Sequence, residues 1–178
     1  MQESRYLKVF LENNTNLKGQ HYLVERFGKL PYLSAFNDEQ LRMILESSKV
    51  AKYEAGEEIL KEGEPGRTLF ILLFGEVKVV KGGAEVCRFS KTGDVFGEMA
   101  VIDGKPRSAT VVAATETACL SMDVSFLDSS DGQGADSAAS VFYRTLAMIL
   151  SHRLRDTSEE LALARKEPNP GEATGAPA

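Results

Sequence analysis

Between Gly93 and Thr110 the chain reads GDVFGEMAVIDGKPRSAT. Arg107 supplies a permanent, planar, forked cation suited to a phosphate. Pro106 fixes the turn before it and limits where that cation points. Small Ser108 and Ala109 let backbone N–H groups approach the same anion. Glu98 opposes this chemistry, because a carboxylate beside a phosphate is repulsive. A ligand carrying hydroxyls as well as a phosphate resolves the conflict: Glu98 accepts from a sugar hydroxyl while Arg107 holds the phosphate. The competing reading is plainer. Glu98 caps a short helix and Arg107 is a surface charge.

This stretch resembles the phosphate-binding cassette of the cyclic-nucleotide-binding domain family. The resemblance rests on Phe96-Gly97-Glu98, a short helical piece, and then Arg107-Ser108-Ala109-Thr110. It implies that Glu98 binds the ribose 2′-hydroxyl and Arg107 the cyclic phosphate. Phe96, Gly97, Met99, Ala100, Ser108 and Ala109 are then expected around the ligand. The family also implies a β jelly-roll barrel (a double-stranded β-helix) with N-terminal helices and a long C-terminal helix.

The elements that must carry the cassette can be read in order. Residues 1–30 show broken helical spacing and are expected to be an N-terminal helical segment covering the barrel. Residues 31–127 are expected to form the barrel domain, opened by a helix over Pro31–Leu45. Asn37 is its cap, Gln40 the reciprocal capping-box residue, and Leu41, Ile44 and Leu45 its buried stripe. From Val50 the period changes. Short β-prone runs lie at Glu57–Lys61, Leu69–Phe74, Glu76–Val80, Glu85–Phe89, Thr110–Ala113 and Thr117–Met122. Glycine-rich breakers separate them, as in a sandwich or barrel. One departure from the family pattern is Arg67, where an acid often follows the second glycine of the Gly63–Gly66 turn.

Residues 128–137, DSSDGQGADS, have the composition of a flexible linker. Residues 138–166 are expected to form a long helix. Its stripe is Phe142, Leu146, Leu150, Leu154, Thr157, Leu161 and Ala164, which either covers the barrel or pairs with its copy in a homodimer. Within it, Arg153-Leu154-Arg155-Asp156-Thr157-Ser158-Glu159 resembles the same helix in the catabolite-activator branch of the family. That likeness adds Arg153, Thr157 and Ser158 to the expected ligand-binding set. It implies Thr157 against the adenine amino group and Ser158 reaching the adenine of the other subunit. The composition of residues 167–178 reads as a disordered tail. No segment resembling the activators' DNA-reading domain follows the helix, so no direct DNA binding is expected.

Composition supports a binding role. The chain has 178 residues, 43% hydrophobic and 26% charged, with net charge −5. An acidic balance argues against non-specific nucleic-acid or membrane binding. No apolar run approaches the roughly 20 residues of a membrane helix. Cys87 and Cys119 read as two reduced core thiols of a cytoplasmic protein. His21 and His152 lie far apart, without metal-ligand spacing and outside the expected strands, so neither a metal site nor an enzyme is expected. The leading reading is a cytoplasmic, dimeric cAMP-binding sensor, with cAMP as ligand rather than catalytic cofactor. Its long helix would signal to a downstream protein that the sequence does not name. The alternatives are a cGMP-binding module and a degenerate domain that binds protein only.

Overall fold

The computed structural model describes residue 29 and residues 32–127 and 137–165. The expectations for residues 1–28, for the linker up to Asp136 and for the tail fall outside the described residues. A 3₁₀ turn, Leu33–Ala35, leads into helix α1 (Asp38–Glu46). The Asn37 side chain accepts from the Gln40 backbone N–H at 2.9 Å, and Gln40 Oε1 accepts from the Asn37 N–H at 3.0 Å. The capping box is therefore complete, and it contributes about 1 kcal/mol. Leu41, Ile44 and Leu45 are buried as the spacing required.

Eight strands follow: β1 (Ser48–Tyr53), β2 (Glu58–Leu60), β3 (Thr68–Phe74), β4 (Val77–Lys81), β5 (Ala84–Phe89), β6 (Val95–Phe96), β7 (Thr110–Ala113) and β8 (Thr117–Asp123). They make two four-stranded antiparallel sheets, ordered β1-β8-β3-β6 and β2-β7-β4-β5. Between β6 and β7 sits helix α2 (Glu98–Asp103), and helix α3 (Ala138–Ala164) closes the described chain. This is the mainly β jelly-roll architecture with flanking helices that the sequence implies.

Strand β3, TLFILLF, explains how the layers are held. Its side chains alternate, and both faces are buried. Phe70 and Leu72 point between the sheets and pack with Val77, Phe96, Val111 and Cys119. Leu69, Ile71 and Leu73 point outward and pack with the residues of α1 and with Val141, Phe142, Leu146 and Ile149 of α3. Each fully buried large side chain stabilises by about 1.5–3 kcal/mol. The helices thus cover the outer face of one sheet, while a second core cluster lies between the sheets.

Two expectations need correction. Strands β1 and β6 were not among the β-prone runs. Lys49 and Lys52 interrupt the apolar pattern of β1, and β6 is two residues long. Cys87 is not a core thiol: β5 is an edge strand, and Cys87 is exposed while Cys119 is buried. The expected stripe on α3 divides, with Phe142 and Leu146 on the barrel and the rest farther along the helix. The buried residues are Val141, Phe142, Thr145, Leu146 and Ile149, with Arg153 half-buried. Leu154, Thr157, Leu161 and Ala164 of the expected stripe are exposed.

Candidate functional site

The cassette begins where β6 pairs with Phe70 and Ile71 of β3. The turn before it is tied to β3, since the Leu72 N–H donates to Asp94 O at 2.7 Å and the Gly93 N–H donates to Leu72 O at 2.8 Å. Gly97, with φ of 82°, turns the chain into α2. That left-handed geometry favours glycine. Gly104 (φ 67°) ends the helix. Asp103 Oδ1 then accepts from the Lys105 N–H at 3.0 Å, which fixes the turn leading into Pro106 and Arg107.

Glu98 and Arg107 are each only 6% exposed. Arg107 is therefore not the surface charge of the plainer reading. Its Nη1 donates to Gly97 O and its Nη2 to Thr68 O, both at 2.8 Å. Among the described residues no carboxylate pairs with it. Burial holds the guanidinium pKa below its usual range, opposed by the nearby Glu98 charge. A desolvated cation held by carbonyls alone still lacks an anion.

Glu98 does have a partner. Arg153 of α3 donates from Nη1 to Glu98 Oε1 at 2.8 Å and from Nη2 to Val95 O. The Arg153 guanidinium also lies 4.4 Å from the centre of the Phe89 ring. Phe89 stacks on Phe96, with ring centres 6.4 Å apart and planes 10° from parallel. A single side chain from the long helix therefore reaches the carboxylate, strand β6 and an aromatic wall.

These groups surround a cavity of about 200 Å³. Phe96, Gly97, Glu98, Met99, Ala100, Arg107, Ser108, Ala109 and Arg153 all line it. Ser108 donates weakly to Met99 Sδ at 3.4 Å. Thr157 and Ser158 are not brought to the cavity. Both are exposed, and the Ser158 hydroxyl donates to Leu154 O of its own helix at 2.7 Å. Thr157 lies one turn beyond Arg153 on the same helix face, about 6 Å farther along the axis.

The sequence reading missed Leu60, Val79, Cys87, Phe89 and Val111, which complete the lining. They give the cavity an apolar wall. Their one sequence signal is parity, since Cys87 and Phe89 stand two apart on β5 and share a face. Among the described residues no group of three or more His, Cys, Asp or Glu side chains is placed to hold a metal ion. No helix among them is long and apolar enough to cross a membrane.

Comparison with known proteins agrees with this geometry. Residues 50–129 match the family model described as cyclic nucleotide-binding domain. The cGMP-dependent protein kinase of Toxoplasma gondii is 33% identical over 122 residues, covering 67% of this chain and 12% of the kinase. The cAMP-dependent protein kinase regulatory subunit of Emericella nidulans is 39% identical over 89 residues, covering 49% of this chain and 22% of that subunit. The chain thus spans under a quarter of the length of these curated relatives. A crystal structure of a cyclic nucleotide-binding domain from Methylobacillus flagellatus superposes with a TM-score of 0.64 at 24% identity, covering 91% of this chain and 85% of that one. The two-sheet fold, the cassette on β6 and α2, and the family match over residues 50–129 lead to one conclusion: residues 50–129 form a domain of the cyclic nucleotide-binding domain family.

Proposed function

We propose that this chain is a regulatory module that binds cAMP and uses α3 to report occupancy to a partner protein. The observation that carries the reading is Arg107: a buried cation, without a carboxylate partner among the described residues, facing the same cavity as a buried carboxylate. The cyclic phosphate supplies the missing anion, and a ribose hydroxyl supplies a donor for Glu98. The base lies along Val79, Cys87 and Phe89.

Arg153 joins the pocket to the long helix. A ribose hydroxyl approaching Glu98 meets a carboxylate already engaged by Arg153, so binding and helix position are coupled. Beyond Arg153, Leu154, Leu161 and Leu163 are 69%, 52% and 64% exposed. They supply the apolar face for a second copy of the helix. In such a homodimer Thr157 reads the adenine amine and Ser158 reaches the neighbouring site. The pocket is built for holding a ligand rather than turning it over, and the module acts in the cytoplasm. The relatives are kinases and kinase regulatory subunits, which makes a protein kinase the first partner to test.

A second reading, cGMP as ligand, is favoured by the similarity to the T. gondii cGMP-dependent kinase. Calorimetric titration with cAMP, cGMP and 2′-deoxy-cAMP separates the readings. We expect cAMP to bind most tightly and the deoxy ligand to lose affinity. A cGMP preference selects the second reading, and no heat with any of the three refutes both. Light scattering of the wild type as a monomer at high concentration refutes the homodimer.

A further inference from the structure

The Arg107 guanidinium lies between two residues that have no side chain. On one side is Gly97, whose positive φ already accounts for a glycine. On the other is Gly66, which is not among the residues of positive φ. The backbone at Gly66 therefore gives no reason for glycine. The surroundings do. A methyl group on Gly66 would stand 2.6 Å from Arg107 Nη2, 3.0 Å from Nε and 3.1 Å from Cζ, with no other heavy atom as near.

The same turn grips Arg107 elsewhere. The Gly63 N–H donates to Arg107 O at 2.9 Å, and the Arg107 N–H donates to Glu64 O at 2.8 Å. Thr68 O accepts from Nη2. Residues 63–68 thus hold both the backbone and the head group of Arg107. Beyond Gly66 lies an open depression of about 410 Å³, and Arg107 lines both that depression and the ligand cavity.

We propose that Gly66 is a positioning residue for the anion-binding guanidinium. Its bare backbone lets Arg107 lie flat against the 63–66 turn, with Nη1 and Nη2 held by Gly97 O and Thr68 O. Any side chain at position 66 pushes the guanidinium off those carbonyls. The guanidinium is the far end of a flexible side chain, so the displacement is cheap for the fold and is felt in ligand binding. The proposal rests on the reading of Arg107 as the phosphate-binding group.

The test combines Gly66→Ala with Arg107→Lys. Lysine ends in a compact ammonium that need not lie flat against residue 66. First, the Arg107 Nε–H resonance is followed by NMR in ligand-free protein, assigned by its loss in Arg107→Lys. Second, cAMP is titrated into wild type, both single variants and the double variant, and each is melted. We expect Gly66→Ala to shift the Arg107 resonance and to weaken cAMP at least about tenfold. In the Arg107→Lys background the same change should alter affinity by less than about twofold. Any fall in the melting midpoint of Gly66→Ala should be reversed in the double variant. The proposal is overturned if the resonance and affinity stay at wild-type values, if the two penalties multiply, or if a melting loss persists in the double variant. Failure of wild type to bind any cyclic nucleotide would refute the functional reading instead, while the resonance and the melting rescue still decide the role of Gly66.

Discussion

Replacing Arg107 with methionine tests whether the buried cation serves the ligand or the fold. Methionine keeps much of the length and apolar volume and removes the charge. In the ligand-free protein two effects oppose each other. Two charged hydrogen bonds, to Gly97 O and Thr68 O, are lost. Each contributes about 1.5–3 kcal/mol. Against this, a guanidinium that is 6% exposed and has no carboxylate partner among the described residues no longer has to be desolvated. That relief is on the order of several kcal/mol. The two nearly cancel, so the unfolding free energy should change by no more than about 1 kcal/mol. Ligand binding has no such compensation. Losing the charged contact to a desolvated phosphate costs about 2–5 kcal/mol, or roughly thirty- to several-thousandfold in Kd. Urea unfolding and calorimetric titration with cAMP measure the two quantities on the same protein. A stability loss as large as the binding loss would refute the reasoning, because Arg107 would then be a structural clasp for the 63–68 segment.

Three further outcomes follow from particular contacts. Arg153→Ala removes a half-buried ion pair to Glu98 and the stacking on Phe89; it should lower stability by about 1–3 kcal/mol, and a double-mutant cycle with Glu98→Gln should give less than additive losses. Additive losses would mean the pair is not formed in solution. The Thr145 hydroxyl is buried without a hydrogen-bond partner among the described residues, in a small apolar cavity between α3 and the sheet. Thr145→Val should therefore raise the melting midpoint by about 2–4 °C in differential scanning calorimetry. A lowered midpoint would count against that orphan hydroxyl. Burial pushes the Cys119 thiol up from 9.0 to about 12. The unfolded chain ionises first, so this contribution is intact below about pH 9 and is lost as pH rises toward 12. Cys119→Ala should flatten the alkaline limb of the stability profile, and an unchanged limb would assign it to other groups.

Much of the ligand side was legible because it is local. Phe96-Gly97-Glu98 and Arg107-Ser108-Ala109 sit within fourteen consecutive residues, so the resemblance to a phosphate-binding cassette is visible before any fold is known. The α1 cap was equally legible, since Asn37 and Gln40 satisfy each other across three residues. Strand β3 could be read as a strand, but not as one buried on both faces, because an apolar run does not say what covers it.

The rest was decided by contacts distant in sequence. Arg153 reaches Glu98 from 55 residues away, and nothing near either residue specifies that pairing. Thr157 and Ser158 matched a family motif, yet α3 leaves the barrel after Arg153 and keeps both in solvent. The helical period alone permits two neighbouring stripes. The outer face of the β3 sheet selected the one through Val141, Thr145 and Ile149, because that is where Leu69, Ile71 and Val95 offer apolar surface. Spacing along the chain determined which side chains could bind a sugar phosphate. The folding of residues 63–68 against Arg107, and of α3 against Glu98, determined how those side chains are held. Those arrangements depend on burial and steric contact between segments, which no single stretch of sequence encodes.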